Sequence, residues 1–106
     1  MLRTMSQQQP LFKQESPISQ ILRTYGKQFK QIQFQYSDGD NGRCALGVIM
    51  SYYGWNGKDD SQPARKLSLA LMALGSAGID NSVLVEMNDS GFSFDEIAAY
   101  LDSVSK

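Results

Sequence analysis

Arg43-Cys44-Ala45-Leu46-Gly47-Val48-Ile49-Met50-Ser51-Tyr52-Tyr53 is the stretch on which the fold turns. Wound as a helix, its apolar side chains fall nearly all round the axis instead of on one stripe. Such a helix belongs in the middle of a domain, and its neighbours must cover it from several sides. Gly54 stops it. The polar runs Ser37-Asp38-Gly39-Asp40-Asn41-Gly42 before it and Trp55-Asn56-Gly57-Lys58-Asp59-Asp60 after it read as loops.

The segments that would cover this helix are amphipathic. Ser16-Pro17 offers a cap and a first-turn proline. Ile18, Ile21, Leu22, Tyr25 and Phe29 then keep helical spacing, with Gly26 weakening the run by about 1 kcal/mol relative to alanine. On another face of this predicted helix, which fades near Gln33, Arg23, Lys27 and Lys30 line up. A third helix over residues 63–76, capped from Ser61, presents Leu67, Ala70, Leu71 and Leu74 and ends at the cluster from Gly75 to Gly78. Asp80 or Asn81 caps a short fourth helix that runs to Met87, with Val83, Leu84 and Met87 inward. The last helix carries a capping box, Ser93-Phe94-Asp95-Glu96, with a hydrophobic staple between Phe92 and Ile97. Phe94, Ile97, Ala98, Leu101 and Val104 form its stripe. The expectation is an all-α domain over residues 16–106, a bundle of about five helices without a sheet. The strand alternative is strongest at residues 31–36, where Ile32, Phe34 and Tyr36 alternate with polar residues.

Composition narrows the chemistry. The 106 residues include 10 basic and 11 acidic side chains, one cysteine and no histidine. Without histidine, the commonest general base, the usual nucleophile partner and the usual transition-metal ligand are missing. With Cys44 alone, no disulfide framework forms within the chain. Charge is segregated: Met1 to Tyr36 carries a net +4, with Glu15 as its one acid, and Ser37 to Lys106 a net −5. The first 15 residues, basic and rich in glutamine, read as a disordered tail. Met1 to Pro10 has no apolar core, so no leader peptide is expected, nor a membrane span, and the expected location is cytoplasmic.

Arg43-Cys44-Ala45-Leu46-Gly47 opening a helix, followed by Met87-Asn88-Asp89, a glycine and Ser93-Phe94-Asp95-Glu96-Ile97-Ala98, resembles a pattern in uncharacterised small bacterial and archaeal helical proteins. Those carry a "CALGAL"-type helix, then "ND", a turn and an "EIA"-type helix. The resemblance covers residues 43–104 and has Gly47-Val48 where the pattern continues Gly-Ala. It implies a helical fold, and it implies no activity and no catalytic residue.

Several constellations suggest chemistry. Asp38, Asp40 and Asn41 among glycines resemble an oxygen-rich calcium loop, but Val48 falls where a bidentate glutamate belongs, so an ordinary turn is expected. Asn88-Asp89-Ser90-Gly91 fails the same test by one residue at Glu96 and reads as a helix end, with Asp89 able to accept backbone amides. The "EIA" helix resembles the first half of a helix-turn-helix, but the five residues after Leu101 are too few for a recognition helix. Cys44 near a helix start is expected to be buried as a small hydrophobe. Arg23, Lys27 and Lys30 would suit an acidic surface or, less favourably, the phosphates of a nucleic acid, with Tyr25, Phe29, Phe34 or Tyr36 stacking on its bases. Tyr52, Tyr53 and Trp55 at the end of the central helix form an aromatic corner suited to a ligand or partner.

These readings leave two classes of function. One is a non-enzymatic interaction or regulatory module that meets a protein partner, or a second copy of itself, through Arg23, Lys27, Lys30, Tyr52, Tyr53 and Trp55. The other is a small-molecule or nucleic-acid binder. No cofactor or metal is expected in either. The capping box yields a measurable outcome: Ser93→Ala lowers stability by about 1 kcal/mol, read as a shift of the urea midpoint at unchanged slope.

Overall fold

In the computed structural model, which describes residues 17–58 and 63–104, the chain is a mainly helical bundle. In order it forms α1 (Pro17–Thr24), a 3-10 turn (Tyr25–Gln28), β1 (Lys30–Gln31), β2 (Gly42–Arg43), α2 (Ala45–Tyr52), α3 (Pro63–Ser76), α4 (Asn81–Asp89) and α5 (Phe94–Val104). The five expected helices are present among the described residues; the tail expected over residues 1–15 lies outside them. No single helix among the described residues is long and apolar enough to cross a membrane.

Helix α2 sits at the centre. Every residue from Ala45 to Ser51 is buried, and α1, α3 and α4 all pack on it. The all-round apolar pattern demanded this arrangement. Helix α1 lays Ile18, Ile21 and Leu22 into the core and packs along α5, which contributes Phe94, Ile97, Ala98 and Leu101. The α1–α5 contact is also polar: Ser19 Oγ donates to Asp102 Oδ1 at 2.5 Å, and Arg23 Nη1 lies 2.7 Å from Asp102 Oδ2. Helix α3 buries Ala70 and Leu74 and partly covers Leu67, whereas Leu71, expected inside, lies at the exposed edge of the stripe. Helix α4 buries Leu84 fully and Met87 in part, with Val83 partly covered. Its cap is Asp80, whose Oδ1 accepts the Ser82 amide at 3.0 Å. The capping box of α5 closes both ways: the Ser93 amide donates to Glu96 Oε1 at 2.8 Å and the Glu96 amide to Ser93 Oγ at 3.1 Å.

Three expectations are corrected. The first helix does not run on toward Gln33; it ends at Thr24, passes into the 3-10 turn and becomes extended at Phe29. Gly26 lies in that turn, where a Cβ would sit 3.0 Å from the ring of Phe94, so the chain passes close to α5 at a residue of low helix propensity. The second helix begins at Ala45, not Arg43, with Cys44 as its cap and Cys44 Sγ accepting the Gly47 amide at 3.4 Å. The expected absence of a sheet also fails in one place. β1 and β2 pair in parallel, Lys30 with Gly42 and Gln31 with Arg43, extended by Ile32 N–H to Arg43 O at 3.0 Å. The alternating run that favoured a strand supplies only this short pairing, and residues 33–36 are bends.

That run crosses α2 closely. Cys44 N–H donates to Tyr36 O at 3.4 Å, and the same carbonyl would lie 2.0 Å from a Cβ on residue 47. Glycine in the first turn of this buried helix is thus a packing requirement, made at the cost of helix propensity. Gly47→Ala should destabilise the protein by about 1–3 kcal/mol, the usual range for overpacking. Alanine on an exposed helix would be stabilising instead, so the sign of the change in thermal midpoint checks this crossing.

Candidate functional site

Of the aromatic residues singled out from the sequence, Trp55 joins Arg43 in a buried polar centre, and Tyr52 and Tyr53 line an open cleft.

The buried centre is built by Arg43. Its Nε donates to Ser51 Oγ at 2.8 Å; Nη1 is shared among Gly42 O at 2.7 Å, Asp40 O at 2.8 Å and Ser37 Oγ at 3.1 Å; and Nη2 donates to Asn56 O at 3.2 Å. The guanidinium carbon lies 4.6 Å from the ring centre of Phe29 and 5.8 Å from that of Trp55. A planar cation with five donors between two aromatic faces is well suited to such a position. Burial pushes the pKa of Arg43 down, opposed by the charge of Asp38. Trp55 is only 8% exposed and closes this centre from below the loop, so it is not available as part of a surface corner.

The loop once compared with a calcium site takes its shape from the same group. Asp38 Oδ1 accepts the amides of Asp40 at 2.9 Å and Gly42 at 3.0 Å, and the loop carbonyls point at Arg43. Those two amides, with a smaller contribution from Arg43, hold the Asp38 carboxyl below its ordinary pKa. The oxygens of this loop that point inward, Ser37 Oγ and the carbonyls of Asp40 and Gly42, are taken by Arg43 Nη1, and among the described residues no group of three or more His, Cys, Asp or Glu side chains is arranged to hold an ion. Cys44 is buried, and that burial pushes its thiol pKa up, away from nucleophilic reactivity.

A second buried group, Asn88, was read from the sequence as part of a helix end. It lies in the last turn of α4, fully buried, and connects three segments. Oδ1 accepts the Ala45 amide at 3.0 Å and Gln31 Nε2 at 2.8 Å, while Nδ2 donates to Ile32 O at 2.8 Å. Asp89, expected to accept backbone amides across its own turn, takes the amide of Phe34 at 2.9 Å, from a loop 55 positions earlier in the chain.

The cleft has a volume of about 300 Å³ and is lined by Gln20, Ile21, Thr24, Tyr52 and Tyr53. Tyr52 is half exposed and meets Tyr25 edge-on at 5.7 Å and Tyr53 edge-on at 5.2 Å; Tyr25 in turn contacts Phe29 at 5.8 Å. One end of this aromatic series rests on Arg43, and the other opens to solvent. Lys66 Nζ donates to Tyr53 O at 3.0 Å at its edge. The lining residues from α1 were missed in the sequence because Ile21 was assigned wholly to the core stripe.

The three cations expected on one helical face are not brought together. Because α1 ends at Thr24, Lys27 lies exposed on the 3-10 turn and Lys30 exposed on β1, while Arg23 is paired with Asp102. Phe34, one of the aromatic residues offered for stacking on bases, is the one non-glycine among the described residues with positive φ, at 69°. Its ring is 79% exposed. The alternation that suggested a strand gave no sign of that backbone.

No family model matches the chain, and comparison with curated proteins and with solved structures finds no match.

Asp38 gives a pH test of the loop. Its folded pKa is lowered, so its contribution to stability is present above the ordinary carboxylate value of about 4 and is lost as pH falls through that value toward the folded one. Asp38→Asn keeps the acceptor oxygen without the titration. Urea midpoints measured from neutral to acid pH should fall less steeply for the variant than for the wild type.

Proposed function

We propose that this chain is a non-enzymatic interaction module that receives an apolar or aromatic side chain of a protein partner in the cleft between α1 and the end of α2. The observation that carries the reading is the half-exposed Tyr52, held edge-on between Tyr25 and Tyr53 at the mouth of that cleft. Tyrosine with a rigid apolar body and a polar tip is favoured at protein interfaces, where it adds contact area at little entropic cost. The aromatic contacts fix its ring before any partner arrives, and such preorganisation favours binding.

Charge at the rim supports a partner segment with acidic flanks. Lys66 lies at the Tyr53 end, and Lys27 is exposed on the 3-10 turn that carries Tyr25 out of α1. Rim charges of this kind steer approach more than they hold the complex. Arg23 contributes less than the sequence suggested, since its guanidinium is engaged by Asp102. That engagement also weakens the nucleic-acid alternative, which relied on all three cations. A cytoplasmic location accords with this reading.

The test is a chemical-shift titration of the full chain with a blocked Glu-Phe-Glu tripeptide. Shifts should concentrate at Ile21, Thr24, Tyr52 and Tyr53 and should disappear in Tyr52→Ala. Shifts at these positions no larger than those at Tyr100, an exposed tyrosine on α5, would overturn the proposal.

A further inference from the structure

We infer that the partner of the Tyr52 cleft is a second copy of this chain, which inserts Phe34; this rests on the cleft reading above. Phe34 stands on a left-handed backbone that a bulky residue rarely adopts, with its ring almost wholly in water. Burial within the chain does not offset that conformation, and the surrounding bonds impose it. Phe34 N–H is held by Asp89, Gln33 Nε2 donates to Asn88 O at 3.3 Å, and Gln31 Nε2 donates to Phe92 O at 2.7 Å. The loop is sewn onto the turn between α4 and α5 so that the phenyl ring points outward. A strained conformation kept by its surroundings is expected at a recognition site.

The charges around the two places are complementary. Phe34 projects beside Asp89 at the end of α4, and the chain has no lysine or arginine from Leu67 to Ser105. Beside the cleft, Lys66 bonds the backbone of Tyr53, and Lys27 is exposed two residues after Tyr25, whose ring meets Tyr52. The two sites lie at opposite ends of α2: the Phe34 loop reaches its start through Tyr36 and Asn88, and the cleft lies at its end, about 12 Å away for eight residues. One copy therefore offers an aromatic knob in an acidic setting, and the next offers an aromatic socket with a basic rim. Contact between unlike ends is heterologous, so association proceeds head to tail unless it closes into a ring. A single inserted side chain makes the contact weak and dependent on concentration and salt.

Sedimentation velocity of the full chain across a concentration series tests this. The wild type should form dimers and larger species that weaken on adding salt. Phe34→Gly, which relieves the positive φ, should raise the thermal midpoint and weaken association at least about tenfold. Tyr52→Ala should weaken association similarly without the thermal gain. Each variant keeps the site the other lacks, so mixing them should restore association and stop it at a one-to-one pair. A wild type that stays monomeric at millimolar concentration, or a mixture that does not pair, overturns the inference. If the wild type stays monomeric but the Glu-Phe-Glu probe still shifts Tyr52 and Tyr53, self-association falls and the cleft reading stands. If the probe also fails, both fall.

Discussion

A buried guanidinium with no buried carboxylate beside it among the described residues organises this fold. Arg43 is held by carbonyl oxygens, two serine hydroxyls and two aromatic faces, contributed by segments on both sides of α2, and the exposed Asp38 carboxylate adds a favourable charge. The buried acceptors among them, Ser51 Oγ and Gly42 O, would otherwise be polar atoms in a poorly hydrated place, where an unpaired group costs about 1–3 kcal/mol. Lysine has neither the planar fork nor the flat face that lies against Phe29 and Trp55. The two loops around α2 therefore need no large sheet or apolar core of their own; they are folded around a cation.

Asn88 does for the start of α2 what Arg43 does for the loops. The first turn of α2 contains no acidic residue, and its free amides are taken up by Cys44 Sγ and by Asn88 from α4. The same amide group fixes Ile32 and, through Gln31, the start of α5, where Phe94 N–H donates to Gln31 Oε1 at 3.1 Å. The most distinctive residues of the chain, Arg43, Gly47 and Asn88, are thus occupied with holding irregular backbone against a helical core. Recognition is left to side chains outside that framework, the cleft tyrosines and Phe34.

Helical periodicity made most of this visible in the sequence. α3 ends where its glycine cluster begins, the capping box of α5 forms as written, and the all-round apolar stretch is the central helix. What periodicity missed was set by tertiary contact. Just past the early end of α1, Gly26 passes close to Phe94, and the β1–β2 pair depends on a carbonyl ladder that no side-chain pattern records. For the candidate site, Tyr52 and Tyr53 were legible as aromatic residues at a helix end. Trp55 was misplaced because a loop of polar composition gave no sign that Arg43 would draw its ring inside. Phe34 was legible as an aromatic able to stack, but its left-handed backbone was not, because alternation reports the type of residue and not the sign of φ.

The Asn88 amide also bears on how the chain reaches this state. Its bonds join residues 43 to 57 positions apart. Local contacts allow helical bundles to fold quickly, whereas closures of this span carry an entropic cost before they return any stability. The helices can form and collapse early, but the segment from Gln31 to Tyr36 acquires its conformation only when α2 and α4 have already met. Once formed, that segment cannot open while α2 keeps its first turn intact, so its amides should exchange with solvent together with those of Ala45 and not as an independent loop.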